Sequence, residues 1–501
     1  MTREDFCGEF RTARFAAGVV LAVIAAVLVL PALVACDSPL PAYEAECDFY
    51  DITLDYDGER TVTLKETVVT KNRTGDALES LAFHLYPNAF SEQAETPPYF
   101  AADKDEFFPN GESFGEIEVL SVEIDRQSAD FVITGESDTV LEVPCDIENG
   151  ASARVSIDAV VTLPECDARF GVTESSVNLT GFYPVLCVYE NGAWRTDGYT
   201  AAGDPFFSQI ASYAVRATLP ESFSVACSGS FAESTEGGRK VVGITAERVR
   251  DFAMCLSEDF SSIADTVTVG GRDVEFRYSY LDDDAPADTL NLAADALSFF
   301  SRTFGNYPYD TFSMAQAPVG AGGMEYGAFV VIDPDLASRE EHERTVVHET
   351  AHQWWFGVVG SDQLFCPWLD EGLTEFTTAY YFLNSGDREE YSAAVRSASE
   401  YYAVYANMPE AVGFDGRMNR HLSTYLSTGE YVAVTYCKGL LLFDTIFSLC
   451  GKEKTEAALR NYFSANAFGI ARPQELKDAF SAAGADVGSV IDGFTEDRAR
   501  R

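Results

Sequence analysis

Basic residues are the scarce ones in this chain: 35 Lys and Arg stand against 80 Asp and Glu, a formal net charge of −45. That deficit excludes nucleic acid as a partner, because phosphate binding needs clustered cations. It also excludes electrostatic docking on anionic lipid. What an acidic surface attracts instead, weakly and at long range, is a cationic group such as a peptide's free amino terminus. Histidine is rarer still, with 5 in 501 residues. The 11 cysteines contain no pair spaced CxxC, which argues against a cysteine-ligated zinc. There is no internal repeat, and 47% hydrophobic with 23% charged residues is a globular composition with enough apolar side chains for an ordinary core.

Long uncharged runs are absent except at the start. Residues 16–35 carry no charge and follow Arg3, Arg11 and Arg14. This is an export signal or a membrane anchor rather than part of the fold. It ends Leu33-Val34-Ala35-Cys36, a pattern that resembles a bacterial lipoprotein signal with Cys36 as the lipidated residue; the alternative is an uncleaved transmembrane segment. Both readings place the remainder outside the cytoplasm, anchored to the cell membrane. Nine cysteines then remain, an odd number, in a compartment that permits disulfides.

The expected organisation is an anchor segment over 1–36, a tether over 37–45, a β-rich domain over 46–257 and a catalytic domain over 258–501. Short alternating runs such as Thr61-Val62-Thr63-Leu64 and Ile117-Glu118-Val119-Leu120, punctuated by Gly, Pro, Asn and Asp, predict a β-sandwich-like first domain. Further on, Leu290, Ala293, Ala294, Leu297, Phe300 and Phe304 form a helical apolar stripe, with Gly305 placed to cap it. Phe329–Ile332 reads as a strand ending before Pro334, and the pattern after 338 is mostly helical. The class is therefore α+β, with a small mixed sheet followed by helices in the second domain.

The chemistry lies in that second domain. Ser338 followed by Glu341 is a capping-box pattern opening a helix through His348, Glu349 and His352. Histidines four apart stack one turn apart on one face and can both reach one metal. Glu349, about 100° around the helix from His348, borders that metal without ligating it, the position of a general base. Glu371 stands 19 positions after His352 (371 − 352), beyond Gly357, Gly360 and Pro367, and a second helix can return it to the first. Two His and one Glu leave a coordination position open for water, the arrangement of a catalytic zinc site, expected to hold one Zn2+. Glu375, one turn after Glu371, and Asp370 compete as the partner that fixes the outer nitrogen of His348. His84, His342 and His421 have no partner at ligand spacing, and Trp354, Trp355 and Trp368 read as core.

Three stretches together resemble the gluzincin metallopeptidases of the aminopeptidase N type: His348-Glu349-Thr350-Ala351-His352 with Glu371, Gly322-Gly323-Met324-Glu325-Tyr326 upstream, and Tyr436-Cys437-Lys438-Gly439 downstream. The resemblance implies a thermolysin-like catalytic domain that hydrolyses peptide bonds. It implies that Glu325 binds the substrate's amino terminus, that the backbone of Gly322, Gly323 and Met324 supports the peptide as an edge strand, and that Tyr436 stabilises the oxyanion. Tyr431 is a second candidate for that last role. Tyr326 stands where the family usually has Asn. The chain also stops about 65 residues after Tyr436 (501 − 436), so it looks like a short form without the C-terminal helical domain, with a more open groove. The expected activity is removal of N-terminal residues from peptides with a free amino terminus. The alternatives are an endopeptidase with the same zinc site, should Glu325 not bind an amine, and a surface binding module without turnover.

Overall fold

Alternation of buried and exposed side chains governs the first half of the chain. In Asp48–Tyr56 the inward residues are Tyr50, Ile52, Leu54 and Tyr56, the period-two pattern of a sheet buried on one face. This strand lies inside an eight-stranded sheet whose spatial order is Ser230–Glu236, Arg239–Val249, Ala211–Pro220, Asp48–Tyr56, Thr61–Lys71, Ser152–Thr162, Glu116–Ile124 and Gln127–Ser128. Only the pair Asp48–Tyr56 and Ala211–Pro220 is parallel, with Asp48 opposite Ala211. Two four-stranded sheets share its hydrophobic core, one containing Leu78–His84 and the other Val177–Thr180. Glu66 sits in the middle of this β-rich part, fully buried, with neither carboxylate oxygen hydrogen bonded.

The computed structural model describes residues 47–408 and 413–497. The anchor expected over 1–36 and the tether over 37–45 lie outside the described residues. Ala45–Arg501 forms one compact unit.

A five-stranded mixed sheet follows, in the order Ser261–Val269, Arg272–Tyr280, Thr311–Gln316, Phe329–Ile332 and Gly323–Tyr326. Arg272–Tyr280 runs parallel to Thr311–Gln316, which requires a crossover, and helix α1 (Pro286–Phe304) supplies it. The apolar stripe of α1 is buried as its spacing predicts, and Gly305 caps it at φ 148°. Gly323–Tyr326 is the outer strand, antiparallel to Phe329–Ile332. The helices are α2 (Arg339–His352), α3 (Glu371–Ser385), α4 (Arg388–Ala406), α5 (Lys438–Asn466), α6 (Pro473–Ala482) and α7 (Gly488–Thr495). The Ser338 side chain accepts the Glu341 N–H at 3.1 Å, and the Glu341 carboxylate accepts the Ala337 N–H at 3.0 Å, so the cap of α2 closes one residue earlier than the standard box.

Among the described residues, one helical stretch, Thr428–Asn466, is long and apolar enough to cross a membrane; half of its most apolar window is buried, and α5 within it packs against α3 and α6. Arg250, at the end of the β-rich part, is buried and donates to the carbonyls of Ser208, Phe356 and Gly469. Trp354, Trp355 and Trp368 are core residues, at most 1% exposed. All nine described cysteines are free.

Candidate metal centre and active-site cleft

Helical spacing puts His348 and His352 on one face of α2, where their Nε2 atoms lie 3.0 Å apart. Helix α3 begins at Glu371, whose Oε2 is 3.3 Å from each of those nitrogens. The two carboxylates that compete for His348 in the sequence each take a different ring. Asp370 Oδ1 is 2.7 Å from His352 Nδ1, and its other oxygen accepts from Gln363 Nε2 at 2.7 Å. Glu375 Oε1 is 3.1 Å from His348 Nδ1, and Arg344 holds its second oxygen. A carboxylate facing Nδ1 favours the proton there in the neutral ring, which would leave each Nε2 free to ligate.

Three electron-rich atoms therefore converge, and Glu371 Oε2 is buried without a hydrogen-bond partner. Left to themselves they repel; a cation between them removes the conflict. The three atoms lie 3.0 to 3.3 Å apart, a spacing that would let all three reach one zinc at bonds of about 2.0–2.1 Å. Nitrogen donors with one carboxylate favour zinc over magnesium or calcium. The surroundings favour positive charge independently. Burial works against a charged His348, yet its contacts with Glu371 and Glu375 push it up to about 9. Burial likewise opposes ionisation of Glu371, and the two imidazoles outweigh it and hold the carboxyl well below the usual range.

Glu349, the next residue along α2, is buried with one oxygen unpartnered. Burial pushes its carboxyl up to about 7, against the pull of His348 and His352. The outer strand crosses it closely: a Cβ on Gly323 would stand 2.5 Å from Glu349 Oε1, so only glycine lets strand and carboxylate meet. Glu325 lies two residues further on that strand, with an oxygen within 4.8 Å of ligand atoms of both Glu349 and His352. Burial and neighbouring Asp204 push Glu325 well above the usual carboxylate range.

Asp204 was not singled out from sequence. It comes from the β-rich part, is paired with Arg169, and has an oxygen within 4.8 Å of Glu325 and Glu371. Tyr326 turns away from the cleft; its hydroxyl accepts from Thr180 Oγ1 at 2.8 Å and its ring stacks on Phe329, so the replacement of the usual Asn serves packing.

Tyr436 sits in a widened helical turn, Val432–Cys437, that leads into α5. Such insertions re-aim side chains and recur at functional sites. The ring lies nearly parallel to His348, centroids 6.0 Å apart, and Tyr431 meets it edge-on at 5.7 Å. Burial and then Glu371 raise the Tyr436 phenol well above its ordinary value, so it remains a hydrogen-bond donor. Paired glycines bring it there. A Cβ on Gly372 would be 2.8 Å from Gly439 Cα, and one on Gly439 would be 2.5 Å from Gly372 Cα. The backbone next to Glu371 thus touches the backbone three residues after Tyr436. His348, Glu349, His352, Glu371, Tyr436 and the segment Gly322–Glu325 all line one cavity of about 360 Å³.

Residues 289–494 match the peptidase family M1 domain. Aminopeptidase 2 of Candida albicans is 28% identical over 229 residues, 42% of this chain and 24% of its own length. Aminopeptidase N of Lactobacillus delbrueckii subsp. lactis is 26% identical over 219 residues, 39% of this chain and 24% of its own. The chain spans about a quarter of the length of the curated relatives it matches. The crystal structure of an M1 zinc metallopeptidase from Deinococcus radiodurans superposes with a TM-score of 0.63 at 18% identity, covering 89% of this chain and 92% of that one, and shows the same two-part fold. With its motifs gathered around one cleft on that fold, the chain is similar over residues 289–494 to the peptidase family M1 domain and to the aminopeptidases that carry it.

Proposed function

We propose that the chain is a zinc aminopeptidase. The observation that carries this reading is the pair of carboxylates, Glu325 and Asp204, with oxygens within 4.8 Å of each other and of Glu371. A substrate ammonium held there reaches only its own first peptide bond at the metal centre, which makes cleavage exopeptidic. The pairing is charge-assisted and gains from burial.

His348, His352 and Glu371 would hold a zinc ion, which would supply Lewis acidity toward the scissile carbonyl. Glu349 takes the proton from a water in the cleft and passes it to the leaving amine, and burial raises its carboxyl to about 7. Tyr436 donates its phenol O–H to the oxygen on which negative charge develops. Asp370 and Glu375 keep the two imidazoles in the ligating tautomer. The outer edge of Gly323–Tyr326 offers backbone groups to the peptide, with Gly322, Gly323 and Met324 beside the first residue.

The β-rich part, 46–257, supplies Asp204 and one wall of the cleft, and 258–501 supplies the metal ligands and the base. Residues 1–36 anchor the chain on the outer face of the membrane, by lipid at Cys36 or by a transmembrane segment. Membrane alanyl aminopeptidases of Manduca sexta and Heliothis virescens are among the relatives, consistent with work at a membrane surface. A fluorogenic amino-acid amide panel, run with and without chelator and with the amine free or acetylated, tests the catalytic reading. Cleavage that survives chelation refutes the metal; cleavage of the acetylated substrate refutes the exopeptidase and favours the endopeptidase.

A further inference from the structure

The cavity around Glu325 has a second wall that the mechanism does not use. It comes from the β-rich part, between the helical turn Tyr86–Phe90 and the short helix Lys104–Phe107. Phe90, Tyr99, Phe100 and Phe107 line the cavity on this side, facing Val319 and Met324. Three of the rings brace one another: Tyr99 and Phe107 are 4.8 Å apart, Phe90 and Phe107 6.1 Å, and Phe90 packs edge-on to Phe170 at 5.1 Å. Phe90 is 5% exposed, whereas Tyr99, Phe100 and Phe107 keep part of their surface open. Asp103, on the same segment, accepts from Thr428 Oγ1 at 2.6 Å, which ties the wall to the turn that precedes Tyr431 and Tyr436.

We infer that this aromatic wall is the specificity surface for the first residue and that it selects a large apolar or aromatic side chain. The inference rests on the aminopeptidase reading above, because it needs an amine at Glu325 to aim the first side chain across the cleft. The charges in the cavity support it. Its one arginine, Arg169, is already paired with Asp204, so an acidic first residue meets Asp103, Asp204 and Glu325 without a free cation. A small side chain leaves three half-open rings in water. A large apolar one covers them, and each methylene gained in such a pocket is worth about 10- to 200-fold in specificity.

The test is kcat/KM for fluorogenic amides of Phe, Leu, Met, Ala, Arg and Glu, on the full chain and on Phe100→Ala and Phe100→Leu. Phe, Leu and Met are expected to exceed Ala by at least about 10-fold, with Glu lowest. In Phe100→Ala the Phe-to-Ala ratio contracts about 10-fold; Phe100→Leu restores most of the ratio. A flat profile, a preference for Arg or Glu, or an unchanged ratio in Phe100→Ala overturns the inference and leaves the aminopeptidase reading intact. No hydrolysis of any free-amine substrate overturns both.

Discussion

Replacing Gly439 by Ala probes how Tyr436 and Glu371 come to share one site. The added Cβ would stand 2.5 Å from Gly372 Cα, whereas ordinary contact begins at 3.4 Å, a shortfall of about 0.9 Å against backbone that has no rotamer to yield. The two helices must part by about 1 Å. Overpacking of this kind costs about 1–3 kcal/mol, and a 1 Å misplacement of catalytic groups costs about 10²-fold in rate. A matched control exists in Gly493, within α7, where a Cβ meets nothing within 4 Å. There alanine gains up to about 1 kcal/mol from helix propensity alone. The same chemical change should thus act with opposite sign at the two positions. Thermal unfolding, zinc stoichiometry and kcat/KM of both variants give the answer. Gly439→Ala should melt earlier and lose about two orders of magnitude in kcat/KM. Gly493→Ala should melt no earlier than the parent and keep its activity. Parent-like melting and turnover in Gly439→Ala would refute the glycine contact as the element that sets this distance.

Other expectations follow from the same geometry. Glu349→Gln should bind zinc normally by metal analysis and lose at least about 10²-fold in kcat; parent-like turnover removes Glu349 from the mechanism. Asp370→Asn and Glu375→Gln should each weaken zinc about 10- to 100-fold in a competitive chelator titration, acting through different histidines. Unchanged affinity in both would show that the outer nitrogens need no carboxylate. Glu66 has its carboxyl raised well above the usual range by burial, so the folded state holds a proton that the unfolded chain releases above the ordinary carboxylate pKa. Its contribution to stability is whole below that pKa and is lost as pH rises toward the folded value. Glu66→Met should raise Tm at neutral pH, by about 1–3 kcal/mol of stability, with the gain vanishing near pH 4; a gain that grows on acidification contradicts the assignment.

What the sequence made legible was local. His348, Glu349 and His352 are read from one helix, and Glu371 needs only a short return, so spacing alone brings these four side chains together. The stripe of α1 and the end of Phe329–Ile332 were legible for the same reason. Asp204 was not: the carboxylates that it meets in the cleft, Glu325 and Glu371, lie more than a hundred positions away, and only the tertiary fold joins them. The same is true of the aromatic wall, whose rings reach the cleft only through the tertiary fold. Asp370 and Glu375 were visible as rivals for one histidine, because helical periodicity places both near α2; the two-ring solution depends on how α3 tilts. Gly372 and Gly439 carried a signal as small residues at the heads of two helices, but nothing local says that they touch.

Arg250 has a consequence for traffic through the cleft. Burial lowers its guanidinium to about 10, and it is satisfied by backbone carbonyls drawn from the β-rich part and from both sides of the zinc helix's exit. Parting the two halves like a clamshell strips a desolvated cation of three acceptors in one motion, a forbidding toll at every turnover. Under the aminopeptidase proposal, peptide enters and amino acid leaves past a frame that these three hydrogen bonds hold together.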